Sequence, residues 1–214
     1  MLESQNISRR SLVAGGAALG CAFLVGGKLV FPTGQAVADS GETGETVQYG
    51  FWCDTSFNND FKECVEACRT ANNIPADEEA LCEVRDYLSK YGRYRHVFTS
   101  CMHCADPSCM KACPASAISK QQEDGIVVVD HDRCIGCKYC NTACPFDVPR
   151  YNASGMVKCD ACLSAGRTEG KAPACVEAVA NGALHFGPID DLIKESGGRA
   201  MQITAPTSPS YLLS

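Results

Sequence analysis

The sequence predicts an α+β fold of short strands, short helices and long loops, assembled from a repeated half-unit. Three observations predict it. The chain has 214 residues and 16 cysteines, and aromatic residues make up only 7% of it. Sulfur chemistry must therefore carry much of the folding energy that a large apolar core would otherwise supply. Eight of the cysteines fall in two runs of four between Cys101 and Cys144, CMHCADPSCMKACP and CIGCKYCNTACP, each ending in Cys-Pro and separated by nineteen residues, Ala115 to Arg133. Between the runs, Gly125-Ile126-Val127-Val128-Val129-Asp130 reads as a strand entered by a glycine turn. Strand, cysteine loop and short helix thus follow one another as one unit.

The second run, Cys134, Cys137, Cys140, Cys144 and Pro145, has the spacing C-x2-C-x2-C-x3-C-P, the bacterial ferredoxin pattern for cubane 4Fe-4S clusters. The first, Cys101, Cys104, Cys109, Cys113 and Pro114, is the same frame with two extra residues in its second gap. A cube needs four thiolates aimed at its four irons. Two-residue gaps wrap a tight loop around three corners, while the fourth cysteine, expected to head a short helix, points away and serves the neighbouring cube. The frame therefore assigns Cys101, Cys104, Cys109 and Cys144 to a cluster A, and Cys134, Cys137, Cys140 and Cys113 to a cluster B. Each Pro shapes the turn that leaves the site. A disulfide framework or zinc is the competing reading, but neither requires one frame twice with Pro in the same place.

Residues 1–38 read as an address. Ser8-Arg9-Arg10-Ser11-Leu12-Val13 is a twin-arginine pattern. A glycine-rich apolar run, Leu12 to Val30, follows, and Ala36-Val37-Ala38 offers the small residues a signal peptidase reads. The run is long enough to span a bilayer, but its five glycines and Lys28 make it a poor anchor. Leu19-Gly20-Cys21 is a weak match to a lipoprotein site. The twin-arginine route moves folded proteins, so clusters inserted before transport reconcile many cysteines with an extracytoplasmic destination, the periplasm or the outer face of the membrane, where disulfides would otherwise be expected. Residues 39–46 (DSGETGET) form a polar, flexible lead-in. The net charge is −6; the first 38 residues carry Arg9, Arg10 and Lys28 against Glu3, a balance of +2, so the remainder carries −8. That argues against nucleic acid as a partner.

From residue 47 the chain opens with a short strand, Val47 to Asp54. Counting back from Cys68 in the ferredoxin frame places ligand positions at 68, 64, 61 and 58; Cys68 and Cys64 are present, but Phe61 and Asn58 stand at the other two. Pro75-Ala76-Asp77-Glu78-Glu79 predicts a helix running to Tyr91, with acids in its first turn, Gly92 at its end, and an apolar stripe of Leu81, Val84, Leu88 and Tyr91 beside a buried Cys82. After a strand from Met156 to Lys158, Cys159-Asp160-Ala161-Cys162 opens a fourth copy of the frame, with Cys175 twelve residues on. Its fourth-ligand position holds Val179, and Gly182-Ala183-Leu184 parallels Ser116-Ala117-Ile118, which fixes the register.

Four cysteine motifs in this order behind a twin-arginine signal resemble the iron–sulfur subunits of molybdopterin oxidoreductases, the dimethyl sulfoxide reductase family. The resemblance covers roughly residues 47–214, including the ending Ala205-Pro206-Thr207-Ser208-Pro209-Ser210-Tyr211. It implies tandem ferredoxin-like domains: 97–149 with motifs two and three, and 47–96 plus 150–189 with motifs one and four, followed by a C-terminal extension, 190–214. By the crossover rule Cys68 then joins Cys159, Cys162 and Cys175 in a cluster C. The remaining site would need positions 58, 61, 64 and 179, three of which are non-ligands. The resemblance therefore implies three 4Fe-4S clusters, with Phe61 and Val179 filling the vacated site. Cys53, Cys64 and Cys82 are left over, free, disulfide-paired or as the ligands of a rescued cluster.

The implied function is passage of single electrons, without catalysis on a substrate of its own, between a molybdopterin-containing catalytic subunit and a membrane-anchored, quinone-reactive subunit in anaerobic respiration. A free-standing periplasmic ferredoxin serving a soluble reductase such as a cytochrome is the alternative. A secreted binding module held by disulfides or zinc is the reading from another class. There is no Ser-His-Asp set, phosphate loop or dinucleotide glycine motif in the sequence. The N–H groups of the Gly136 turn and the charges of Arg133, Lys138 and Lys158 are candidate tuners of potential, each charge standing against the simpler role of a solvated side chain. Of His96, His103, His131 and His185, His103 lies inside the first cysteine loop, where packing or hydrogen bonding is the expected role.

Overall fold

The computed structural model describes residues 23–25, 28–30, 47–57, 59–88, 92–168 and 170–214. The twin-arginine residues Ser8–Val13, Cys21, the Ala36-Val37-Ala38 site, the lead-in, Asn58 and Tyr91 lie outside them. The chain divides into two units, Met1–Thr43 and Gly44–Ser214. In the first, strands β1 (Phe23–Val25) and β2 (Lys28–Val30) pair antiparallel, Phe23 opposite Val30. No helix among the described residues is long and apolar enough to cross a membrane.

The second unit is α+β. In order it holds β3 (Tyr49–Cys53), α1 (Lys62–Ala71), β4 (Glu83–Leu88), β5 (Tyr94–Thr99), α2 (Ser108–Lys111), β6 (Ile118–Lys120), β7 (Val127–Val129), α3 (Tyr139–Ala143), β8 (Arg150–Asn152), β9 (Gly155–Val157), α4 (Ala174–Glu177), β10 (Leu184–Pro188), α5 (Ile189–Glu195), β11 (Met201–Gln202) and β12 (Tyr211–Leu213). A four-stranded sheet runs β10-β3-β12-β11, with β3 antiparallel to β10 and parallel to β12. Strand alternation explains why it is buried on both faces. Phe51, Cys53 and Tyr211 enter the main core with Phe98 and Leu184. Trp52 and Leu212 point the other way, onto Ile189 and Leu192 of α5. The close approach of β3 and β12 requires Gly50, where a Cβ would lie 2.0 Å from the Ser210 carbonyl oxygen. The C-terminal residues are thus an interior strand of the sheet.

The other strands form antiparallel two-stranded ribbons, β4-β5, β6-β7 and β8-β9. The first corrects the helix expected from Pro75 to Tyr91. Residues 83–88 instead pair with Tyr94–Thr99, Val84 opposite Phe98 and Asp86 opposite His96. The His96 Nδ1 and Asp86 Oδ1 atoms meet at 2.5 Å across the ribbon. The acid-rich opening and the i, i+3 apolar spacing favour a helix locally, but YRHVFT is rich in aromatic and β-branched residues and offers Glu83–Leu88 a partner strand, so tertiary pairing overrides the local preference. Leu88, assigned to the apolar stripe, is 58% exposed.

The helices in the cysteine runs differ from expectation in one respect. Cys109 and Cys140, the third cysteines, sit inside α2 and α3; Cys113 follows α2 and Cys144 ends α3. The fourth cysteine closes a helix instead of heading one.

Candidate metal centres

Cys101, Cys104, Cys109 and Cys144 line one small cavity. The first two come from the loop after β5, Cys109 from α2, and Cys144 from the end of α3 in the other cysteine run. Met102, Val127, Phe146 and Val148 supply apolar walls, and Lys158 reaches the same cavity. The loop is shaped by His103, whose φ of 40° is left-handed. Burial pushes the Cys109 thiol up to about 12, reinforced by Cys101 and opposed by Lys158. Burial likewise raises Cys104, whose sulfur lies 3.4 Å from the Thr207 hydroxyl. A bare thiolate is thus disfavoured here, and a cation that compensates it must displace the protons.

Cys134, Cys137, Cys140 and Cys113 line a second small cavity. Ala117, Ile118, Ile135, Tyr151 and Met156 complete its wall. Three sulfurs already have donors: Met156 N–H to Cys134 Sγ at 3.4 Å, Ala117 N–H to Cys113 Sγ at 3.3 Å, and the Tyr151 hydroxyl 3.1 Å from Cys140 Sγ. Gly136 and Lys138 both take left-handed φ values, 66° and 65°, which turn successive amides toward one concave side as in an anion-binding nest. Cys137 is the one exposed cysteine among those described, between the exposed Ile135 and Tyr139.

A third group joins Cys68 of α1, Cys159 and Cys162 of the loop after β9, and Cys175 of α4. All are buried, and α1 packs on α4. The four are electrostatic neighbours: Cys159, Cys162 and Cys68 all raise the Cys175 thiol, after burial, which is the largest cause. Ala161 N–H donates to Cys159 Sγ at 3.4 Å and Asn72 Nδ2 to Cys68 Sγ at 3.8 Å. The Cys82 thiol donates to the Cys64 carbonyl at 3.9 Å, and its proximity to Cys68 lowers the Cys68 thiol pKa and raises its own. Among the described residues no three His, Cys, Asp or Glu side chains gather as for a single metal ion.

Residues 93–189 match the family described as 4Fe-4S dicluster domain. The chain is 41% identical to the B subunit of anaerobic dimethyl sulfoxide reductase from Escherichia coli K12, over 78% of this chain and 89% of that protein. The chain belongs to the iron–sulfur electron-transfer subunits of the dimethyl sulfoxide reductase family. It is also 37% identical to the corresponding B subunit of Haemophilus influenzae, over 76% of this chain and 84% of that protein, and 37% identical to protein NrfC of E. coli K12, over 68% and 67%.

The donor sets suit the 4Fe-4S clusters of this family. Each of the two cavities is ringed by four thiols, and N–H or O–H groups aim at several of the sulfurs, the bonds that tune such clusters. Phe61 is fully buried and Val179 nearly so, in the same apolar cluster as Cys64, Phe51, Phe98 and Tyr211; the Phe61 and Phe98 rings lie 6.2 Å apart. None of the fifteen described cysteines, Cys53, Cys64 and Cys82 included, is in a disulfide.

Of the sequence-predicted residues, Cys101, Cys104, Cys109 and Cys144 line one cavity and Cys134, Cys137, Cys140 and Cys113 another, while Cys68, Cys159, Cys162 and Cys175 are buried neighbours. Of the candidate tuners, Arg133 and Lys138 are exposed, whereas Lys158 is buried. His103 packs: it is fully buried, its Nδ1 accepts the Val127 N–H at 3.1 Å, and its ring stacks on Phe51. Sequence reasoning missed Thr207, Tyr151, Asn72 and Cys82 as partners of the sulfurs. No spacing rule links them to the cysteines; only for Cys82, already read as a buried thiol, was a signal present.

Proposed function

We propose that the chain relays single electrons through three 4Fe-4S clusters held on tandem ferredoxin-like domains, between a molybdopterin-containing catalytic subunit and a membrane-anchored, quinone-reactive subunit, outside the cytoplasmic membrane after twin-arginine export. The observation that carries it is the crossed pairing of thiols: each cavity takes three cysteines from one run and one from the other, the arrangement two adjacent clusters need. The third group, Cys68 with Cys159, Cys162 and Cys175, repeats the crossing between motifs one and four. The count of three is supported by the apolar filling at Phe61 and Val179. The catalytic partner is proposed from the similarity to the B subunit of anaerobic dimethyl sulfoxide reductase.

Clusters bound at these sites supply one-electron redox chemistry. The chain's own residues do the rest. Twelve thiolates fix the positions, and buried walls such as Met102, Val127 and Met156 exclude water. Amide and hydroxyl donors to Cys113, Cys134, Cys140 and Cys159 offset negative charge on sulfur. The exposed Cys137, with Ile135 and Tyr139 beside it, puts the second site within reach of an exchange partner.

The test is anaerobic isolation from a twin-arginine-competent host, with iron, acid-labile sulfide and the compartment of recovery measured. About twelve iron and twelve sulfide per chain are expected. A folded, iron-free product ends the proposal, and about sixteen of each ends the count of three.

A further inference from the structure

Lys158 follows β9 and immediately precedes Cys159. It is 6% exposed, which is unusual for an ammonium. Its Nζ donates to two backbone carbonyls, Val127 and, at 3.0 Å, Cys159. Among the described residues no carboxylate pairs with it. A buried cation held only by neutral dipoles carries a desolvation cost that a nearby negative charge offsets. The negative groups nearby are the candidate ligands. Lys158 lines the cavity of Cys101, Cys104, Cys109 and Cys144, and through its bond to the Cys159 carbonyl it also abuts the third group. It does not line the cavity of Cys134, Cys137, Cys140 and Cys113.

We propose that Lys158 is a counter-charge shared by two of the three cluster sites, A and C, a positioning residue that favours their reduced states and leaves site B largely untouched. The inference rests on the three-cluster reading. A cluster with four thiolate ligands is anionic, and its negative charge grows by one on reduction. A fixed positive charge therefore stabilises the reduced form more than the oxidised form. Burial keeps the charge unscreened by salt. Lys120 offers an internal contrast. It is half-buried, and its Nζ donates to the Cys104 carbonyl at 2.9 Å and to Gln48 Oε1. It borders site A alone, so its influence should be confined there.

The experiment uses the full chain, loaded with clusters. Iron and sulfide content are read first, so that failure of the three-cluster reading, seen as an iron-poor wild type, is separate from failure of this inference. The three reduced-cluster signals in electron paramagnetic resonance are then assigned by their loss in Cys104→Ala, Cys137→Ala and Cys162→Ala, and titrated against potential. Lys158→Met should shift the reduced-to-oxidised ratio of A and C toward oxidised by roughly ten-fold at fixed potential, about 59 mV for one electron, with B unchanged; Lys158→Arg should restore it. Lys120→Gln should shift A only. If Lys158→Met loses iron, Lys158→Gln, which keeps a donor for the two carbonyls, gives the same readout. Unchanged potentials overturn the proposal, as do equal shifts at all three sites, or an arginine variant that shifts as far as the methionine one.

Discussion

The cysteine runs from Cys101 to Cys144 and the region around Phe61 are built on one frame and have come to opposite ends. In the first, four thiols ring each of two cavities. In the second, Phe61, Cys64 and Val179 are packed against Phe51, Phe98 and Tyr211. The backbone differs as well as the side chains: α3 is entered through Lys138, the residue after Cys137, at a φ of 65°, whereas α1 is entered through Phe61, which holds the frame position of Cys137 itself, at a φ of 50°. A left-handed phenylalanine costs about 1–3 kcal/mol, and it persists because surrounding groups over-determine it: the Phe61 N–H donates to Asn59 Oδ1 at 2.7 Å and the ring is fully enclosed. On the proposed ligand assignment, the comparison teaches that one frame can hold either thiols around a cavity or apolar volume, and that the helix entry shifts with the choice.

The most direct way to break that comparison is to remove one cysteine from each region. Cys144→Ala should cost about a third of the iron, or more if the neighbouring site fails with it, since the cubes account for all the iron. Cys64→Ala should leave iron unchanged. Metal analysis of the two variants side by side decides it: equal losses would mean that Cys64 is a ligand after all and that the two regions are alike. Next in size, Phe61→Ala should destabilise the fold by about 3–5 kcal/mol through the cavity it leaves, read as a fall in the denaturation midpoint with iron content intact. A small effect would mean that Phe61 merely tolerates its site.

How much of this was legible in the sequence follows from the same contrast. The cysteine frames are local and periodic, so Cys101 through Cys144 could be grouped from spacing alone, and the loss at Phe61 and Val179 could be read from position. The hairpin of Glu83–Leu88 and Tyr94–Thr99 could not, because its deciding contacts, Val84 with Phe98 and Asp86 with His96, join residues ten or more apart whose local pattern favours a helix. The interior strand Tyr211–Leu213 was hidden for a related reason: its partner, Tyr49–Cys53, lies at the other end of the unit, and its pairing is parallel. Lys158 was visible as a charge, but its burial depends on Val127, contributed by a different ribbon.

A third effect, smaller again, concerns a cysteine that is no ligand in either region. Burial pushes the Cys53 thiol from 9.0 up to about 11. Its neutral form is favoured by the fold, so this contribution is complete below about pH 9 and is lost as the pH rises toward 11, where the unfolded chain ionises first. Denaturation midpoints should fall over that window by up to about 2–3 kcal/mol in stability, and Cys53→Ala should flatten the slope. A slope that persists in the variant would assign it to other thiols.

The smallest expected effect sharpens the description of the exposed site. The Tyr151 hydroxyl lies 3.1 Å from Cys140 Sγ, while Lys138 sits 5.4 Å from the centre of the Tyr151 ring. Desolvation, and then the contact with Cys140, raise the Tyr151 pKa well above its ordinary value, so the phenol stays protonated and can donate to a ligating sulfur. With a cluster in place, that O–H bond strengthens as sulfur gains charge, and it therefore favours the reduced state. Tyr151→Phe removes the donor and keeps the ring over which Lys138 lies. It should shift the reduced-to-oxidised ratio of the site holding Cys140 by roughly five-fold toward oxidised, about 1 kcal/mol, while the other two sites hold their potentials. A shift at all three would point to a change in packing or net charge instead of a single bond. No shift would mean that the hydroxyl bonds to solvent once the cluster is bound, leaving the amides of Met156 and Ala117 as the donors at that site.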